Sequence, residues 1–464
     1  MPRIALRPDY GASSIRNFGR PTLINMHAEL AEGKGLFPIV GQAGNVVKTV
    51  LKAPGRGQFM HLGVHYAVGG DTLYRIEPDW NATVLGTVAG ISPVSWMTNS
   101  TQIGILGAPN LYTFDRTSGT VAAVDDPDFP GATGICAVNG FGIFTEASNG
   151  TWGTTRTQDF RQIDATDIAT AEASADPLVG CIIVQNQLVL FGTESIEVWA
   201  NTGEGSPPFA RALVIDAGCA AGASIKLFDG SAIWLGRTRA GGLTVMRSNG
   251  GQISRVATHA IERLIEAASD PTLAVGFTYV RDGHEFYELA LDNGSVRLDA
   301  ATGLWTQTAS GAWPAGSEPP ATRFINAVMR NGHPVFQDAL GSLYAASNDL
   351  FQDNGAPLLR VVRTPVVAGN GKRITINRVE LEMETGRAKL ADDPMVAMSI
   401  SRDGGHTWTN CGTQPAGVTG DYRRRVEWRR LGQVDTAMLE FRFSDNAPFN
   451  VMGVYADIAQ DRHP

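Results

Sequence analysis

The sequence predicts an all-β chain, a β-propeller of about seven blades followed by a C-terminal β-sandwich of jelly-roll type, and three observations predict it. First, short strand pairs opened by polar or Gly-rich turns recur along the chain. The turns fall at Asn99, Asn139, Asn186, Asp229, Asp282 and Asn331, spaced 40, 47, 43, 53 and 49 residues apart. An earlier unit, Gln58 to Ile76, fits the same pitch and brings the count to seven. A four-stranded sheet with its loops takes about 40 to 50 residues, and such sheets repeated radially form a propeller with few open edges. Second, apolar and polar residues alternate on both sides of each turn, as in Gln187-Leu-Val-Leu-Phe-Gly192 followed by Ser195-Ile-Glu-Val-Trp199. Period-two alternation marks a half-buried strand. Third, 53 glycines with only 18% charged residues suit a chain dense in hairpins, where glycine supplies the positive φ of tight turns.

Residues 1–55 lie outside this rhythm. They carry Pro2, Pro8, Pro21 and Pro38, scattered glycines and one brief stretch, Ile24-Asn-Met-His-Ala-Glu29. Such a segment cannot build its own core, so it reads as an extended N-terminal arm with first strands. The arm packs along the propeller rim or reaches a neighbouring subunit. The propeller fills residues 56–356, interrupted by two helices. Thr258-His-Ala-Ile-Glu-Arg-Leu-Ile-Glu266 puts Ile261, Leu264 and Ile265 on one face behind Thr258 as N-cap. The Ala-rich stretch from Asp164 to Ala175 is read as the second helix. After a Pro- and Gly-rich loop from Gly311 to Pro320 comes the last blade, and the texture changes near Pro357. Strands lengthen and charge rises in Ile374-Thr-Ile-Asn-Arg-Val-Glu-Leu-Glu-Met383 and Met438-Leu-Glu-Phe-Arg-Phe443, the pattern of sheets with one buried and one wet face. Residues 357–464 are therefore assigned to the sandwich.

At 464 residues the chain exceeds one ordinary core, which fits two folded domains. Its net charge of −8, from 46 acidic against 38 basic residues, argues against a protein that coats nucleic acid or an anionic membrane. Cys136, Cys181, Cys219 and Cys411 lie far apart, with no Cys-x-x-Cys pair, so neither a thiolate metal site nor a dense disulfide framework is expected. Met1-Pro-Arg-Ile-Ala-Leu-Arg-Pro lacks the apolar core of a signal peptide. No stretch approaches the roughly 18 apolar residues of a membrane span, so a protein made soluble in the cytoplasm, without membrane insertion, is expected.

The sharpest local motif, Ser401-Arg-Asp-Gly-Gly-His-Thr-Trp408, matches the Asp-box pattern S-x-D-x-G-x-T-W. The pattern is structural: Asp403 accepts turn amides, Gly405 takes positive φ, Ser401 and Thr407 flank the turn, and Trp408 packs beneath the hairpin as a core aromatic. Asp boxes recur in propeller sialidases, so a sialidase-like glycan-binding or glycan-hydrolysing protein is the alternative reading. Against it stand the single box, its place in the sandwich, and the lack of any motif for an arginine trio or a Tyr–Glu nucleophile pair.

His61-Leu-Gly-Val-His65 places two imidazoles on one strand without a third ligand, and Asp125-Asp-Pro-Asp128 lacks the spaced loop of a calcium site. Both read as structural, and neither a metal nor a cofactor is expected. Tyr422-Arg-Arg-Arg-Val-Glu-Trp-Arg-Arg430 concentrates Arg423, Arg424, Arg425, Arg429 and Arg430 in nine residues. As a strand it would show Arg423, Arg425, Glu427 and Arg429 on one face, available for cross-strand pairing with Glu380, Glu382 or Glu440. The alternative is an exposed surface for a partner subunit or for phosphates, and the missing aromatic interleaving favours structure or subunit interface over DNA. No nucleophile elbow, Walker loop, dinucleotide fingerprint or metalloprotease helix occurs, so no enzymatic activity is expected.

Several stretches, in order along nearly the whole chain, resemble the packaged-DNA stabilisation proteins of short-tailed bacteriophages, also called tail accessory factors or tail hubs. They are Leu23-Ile-Asn-Met26, Leu188-Val-Leu-Phe-Gly-Thr-Glu-Ser-Ile-Glu-Val-Trp-Ala-Asn-Thr-Gly203, Val256-Ala-Thr-His-Ala-Ile-Glu-Arg-Leu-Ile265, Val426-Glu-Trp-Arg-Arg-Leu-Gly432 and Leu439-Glu-Phe-Arg-Phe443. The resemblance implies a non-enzymatic virion protein of the tail, made in the host bacterial cytoplasm. It implies assembly as a homo-oligomeric ring, a hexamer, below the portal and adaptor proteins. There the ring would close the channel, retain the packaged double-stranded DNA and anchor the tail needle, fibre or tailspike proteins. The Asp box and the triple arginine have no counterpart in that pattern.

Overall fold

Six of the seven blade hairpins close through two residues that both hold positive φ: Leu62-Gly63, Asn139-Gly140, Gln185-Asn186, Asp229-Gly230, Asp282-Gly283 and Asn331-Gly332. This is the type I′ geometry whose twist matches that of the strands it joins. The seventh turn, after Thr98, has three residues, and Asn99 Oδ1 accepts the Thr101 and Gln102 amides at 2.9 and 2.6 Å. The computed structural model describes residues 3–4, 6, 23–29, 38–146, 150–171, 176–249, 251–369, 371–388 and 393–460. Pro2, Pro8 and Pro21 of the arm lie outside the described residues.

Each hairpin opens an antiparallel sheet, and the seven sheets form blades 1 to 7. Their innermost strands are Gly55–His61, Ser95–Thr98, Gly134–Val138, Leu178–Val184, Lys226–Phe228, Val275–Arg281 and Phe324–Arg330. The last of these touches the first, which closes the circle. A separate apolar cluster fills each cleft between neighbouring blades. Tyr66, Ile103 and Phe114 lie between blades 1 and 2, and Trp152, Leu188 and Phe209 between blades 3 and 4. Phe277, Phe324 and Phe336 lie between blades 6 and 7. Burying each such side chain contributes about 1.5–3 kcal/mol, so stability is spread around the ring rather than held in one core.

The helix His259–Glu266 sits between blades 5 and 6 with Ile261 and Ile265 fully buried. Over residues 164–170 a strand stands in place of the expected second helix. Residues 164–170 belong to the strand Asp159–Thr170, which pairs with Thr151–Arg156 through two register shifts, and residues 172–175 lie outside the described residues. Ile163 and Ile168 pack with the cluster between blades 2 and 3, and this packing with β-branched Thr and Ile holds the extended form against the helical preference of the alanines.

The described parts of the arm are strands of its own chain. Asn45–Val50 is the fourth strand of blade 7, paired with Ser342–Ala346, so the segment before blade 1 closes the ring on itself. Met26–Ala28 and Ile39–Gly41 form a hairpin on the edge of one sandwich sheet, beside Asn450–Gln460, Ile374–Met383 and Val426–Val434. The other sandwich sheet holds Arg360–Arg363, Thr436–Phe443, Met395–Ser401 and Thr409–Pro415. Between the two sheets lies one core that includes Val362, Val379, Val396, Trp428, Phe441 and Phe449.

Leu23–Ile24 splices the domains. Ile24 pairs in parallel with Gln307, at the outer strand of blade 6, and Leu23 and Ile24 pair antiparallel with Val362 and Val361 of the sandwich. Blade 6 and the second sandwich sheet are thereby one ten-stranded sheet. Ile24, Ala309, Trp313, Leu359 and Val361 form a small apolar cluster at the splice.

Candidate functional site

The Asp-box hairpin joins Met395–Ser401 to Thr409–Pro415. Asp403 Oδ1 accepts the His406 and Thr407 amides, each at 2.9 Å, and Oδ2 accepts the Thr407 hydroxyl at 2.5 Å. The Ser401 hydroxyl donates to Asp403 Oδ1 at 2.8 Å and accepts the Gly405 amide at 2.7 Å. These bonds favour the carboxylate and hold it well below the usual range, with the Thr407 hydroxyl the largest cause. Every oxygen is thus used in shaping the turn, which leaves a structural clasp rather than a reactive acid.

Trp408 is not the core aromatic expected. It is half-buried, its Nε1 donates to Gly405 O at 3.2 Å, and its ring lies against Gly316 of the blade 6 to blade 7 loop and 5.8 Å from the Arg363 guanidinium. The hairpin therefore points its tryptophan at the junction with the propeller. Beneath it Arg363 and Glu440 form a fully buried pair at 2.5 Å, and Arg442 approaches Glu440 at 3.7 Å while donating to Trp313 O.

The arginine segment also departs from its expected form. The strand begins at Val426, so Arg423, Arg424 and Arg425 lie in the exposed turn before it. Arg430 holds φ of 61° at a bulge where Arg429 pairs with Arg378 and Gly432 with Ile376, which breaks the alternation and leaves both Arg429 and Arg430 exposed. The ion pairs are peripheral: Arg424 to Asp421 at 3.7 Å, Arg425 to Glu380 at 4.0 Å, and Arg429 to Glu427 at 2.6 Å. Arg429 holds the Glu427 carboxyl below its ordinary value. Glu440, one expected partner, is instead committed to Arg363. Exposed pairs of this kind are worth about 0–1 kcal/mol, so the guanidinium groups remain available to an anionic partner.

Burial sends other arginines to protein acceptors. Arg56 donates to the carbonyls of Gly70, Val88, Ala89 and Ser92. Arg281 caps Ala43, Gly44 and Ser347, and Arg360 caps Ala447 and Asp445. Arg297 reaches Gln42 Oε1 at 2.8 Å and Met26 O at 3.2 Å, which fastens the arm to blade 6. Burial pushes the Glu288 carboxyl up, beside Tyr279 and Thr308.

His61 and His65 do not share a strand. Met60 pairs with His65 and His61 with Val64 across the first hairpin, so the two rings face opposite sides. His65 is buried with Nε2 2.9 Å from Gln58 Oε1, and His61 stacks near Phe59. Asp126 accepts the Asp128 and Ile163 amides, so the acidic run ties a loop to blade 3. Among the described residues, the one group of metal-ligand side chains that converges is His27, Glu29 and His284. Sequence reasoning missed it, although residues two apart in an extended run share a face and His27 and Glu29 are so spaced.

A ring of seven sheets spliced to a sandwich by its own N-terminal strands, with its Asp box and buried arginines spent on structure, defines a scaffold class of protein. Two family models match it, the bacteriophage P22 Gp10 β-propeller over residues 13–347 and the bacteriophage P22 Gp10 β-sandwich over residues 360–459, and the chain belongs to this family. It is similar to the tail hub protein gp10 of Salmonella phage P22, at 23% identity over 401 residues, covering 80% of this chain and 79% of that one. Among solved structures it resembles the computationally designed Ika8 protein, with a TM-score of 0.40 at 9% identity over 66% of this chain and 99% of the other. A second is PorZ, a surface component of the type-IX secretion system of Porphyromonas gingivalis, with a TM-score of 0.40 at 13% identity over 72% of this chain and 44% of the other.

Proposed function

We propose that this protein is a non-enzymatic hub of a phage tail: a homo-oligomeric ring, a hexamer, that seats below the portal and adaptor, closes the channel behind the packaged DNA and anchors distal tail components. The observation that carries this reading is the pair of family matches, which span residues 13–347 and 360–459 in the order propeller then sandwich. The spliced ten-stranded sheet supports it, because a subunit that transmits load between neighbours needs its domains fixed to each other. The exposed segment Arg423–Arg425 with Arg429 and Arg430 is the surface assigned to an acidic partner subunit or to phosphates. A glycan hydrolase is disfavoured, since the buried arginines are bound to carbonyls and carboxylates of the protein itself and the Asp box forms a closed turn.

Mass measurement tests the proposal: light scattering or native mass spectrometry of the protein alone and mixed with its portal-adaptor complex. A ring that forms on the complex supports the hub. A monomer that ignores the complex overturns it, and cleavage of a sialoside by the purified protein would replace it with the glycan reading.

A further inference from the structure

His27 is a buried imidazole without polar partners. Its ring is 3% exposed, and neither Nδ1 nor Nε2 has a hydrogen-bond partner. An unsatisfied buried polar group costs about 1–3 kcal/mol, so two such atoms on one side chain call for a partner. The neighbours are aromatic: the His284 ring lies 4.9 Å away and the Phe286 ring 5.5 Å away. The side chains that could satisfy it through a shared ion are at hand. One ligand atom from each of His27, Glu29 and His284 lies within 4.8 Å of the others.

We propose that His27, Glu29 and His284 bind a divalent transition-metal ion of the zinc class. Two imidazoles and one carboxylate form a donor set suited to zinc, whose ligand distances of about 2.0–2.2 Å bring three such atoms within the observed separation. His284 Nδ1 lies 2.9 Å from Asp299 Oδ2. In the tautomer in which Nδ1 donates to Asp299, Nε2 carries the lone pair, and a carboxylate behind a ligating histidine is the usual means of orienting it. Asp299 is itself fixed by the Ala301 amide and the Thr302 hydroxyl. Glu29 among the three donors and Asp299 behind His284 supply the negative charge that a cation needs there. His27 belongs to the arm strand Met26–Ala28, and His284 begins the second strand of blade 6. The ion would therefore clip the arm to the propeller beside the splice.

The test uses tag-free full-length protein stripped with chelator and dialysed. Zinc, and separately cobalt as a spectroscopic probe, is titrated in and the bound ion counted by native mass spectrometry. One ion per chain is expected, with cobalt d–d absorption of a nitrogen and oxygen site and a rise in melting temperature. Asp299→Asn should weaken binding about 10–100-fold, as loss of an outer carboxylate does. Glu29→Gln, at a half-buried position that leaves the core intact, should abolish stoichiometric binding, and so should His27→Phe. Absence of a bound ion in the native protein overturns the proposal. So does an ion retained with equal affinity in folded Glu29→Gln and His27→Phe.

Discussion

Asn25 holds three segments together at the splice. Its φ is 54°, its Nδ2 donates to Ala309 O at 3.0 Å and Leu359 O at 2.9 Å, and its Oδ1 accepts the Ala309 amide at 3.0 Å. Asparagine tolerates this left-handed backbone better than other non-glycine residues. Asn25→Ala removes three buried bonds and strains the backbone, so it should lower unfolding free energy by about 3 kcal/mol or more, read by denaturant titration. A cost near zero would show that the splice does not depend on it. His65 makes a second prediction. Burial pushes its imidazole down to about 3, with Arg330 adding to the effect. The unfolded chain binds a proton at about 6.5 that the folded chain refuses until about 3. The contribution of His65 to stability is therefore full above about pH 6.5, falls as pH drops toward 3, and is flat below that. His65→Gln should make the acid-side fall of the melting temperature shallower across this window, and an unchanged slope would show that His65 does not contribute to it. The turn residues Asn139, Asp229, Asp282 and Asn331 were legible because their chemistry is local. Asn25 was not, because its acceptors lie 284 and 334 residues away.

At the scale of elements, hairpins were readable and their surroundings were not. The Asn-Gly and Asp-Gly turns, the helix His259–Glu266 and the strand Ile374–Met383 follow from period and turn chemistry. The stretch from residue 164 onward misled because alanine content says little once a strand finds its partner, here Thr151–Arg156. Arg430 misled because one bulge shifts every later side chain by a face. Trp408 was placed inward by its motif, whereas the tertiary contact with residue 316 turned it to the junction. Gly316 has φ of 76°, and a Cβ there would stand 2.0 Å from Trp408 Cδ1. Gly316→Ala must displace the indole and uncover the buried Arg363–Glu440 pair, so melting temperature should fall. Trp408→Ala made in the same chain should recover part of that loss, since the clash disappears with the ring. Strict additivity of the two losses would separate the loop from the Asp-box hairpin.

The whole molecule is a ring closed by its own N-terminal strand and joined to a sandwich through one continuous sheet. Cadence revealed the propeller, while the splice depended on pairings between residues hundreds of positions apart, which no local pattern encodes. The chain carries net charge −8, yet one turn and the strand after it expose Arg423, Arg424, Arg425, Arg429 and Arg430. In the proposed ring of acidic subunits, such a patch would meet negative surface on its neighbour, and complementarity of this kind sets association rate and register. Reversing Arg423, Arg424 and Arg425 together to Glu should leave the monomer's melting temperature nearly unchanged, because their ion pairs are exposed and weak. Assembly should suffer instead. If the patch is the subunit or adaptor interface, complex formation at about 0.1 M salt falls at least tenfold, and the remaining association loses its salt dependence, because screening has little left to screen. Native mass spectrometry across a salt series reads both effects. Assembly that proceeds with unchanged midpoint and unchanged salt slope would move the docking surface elsewhere, while loss of assembly together with a collapsed melting temperature would assign these arginines to the fold of the sandwich.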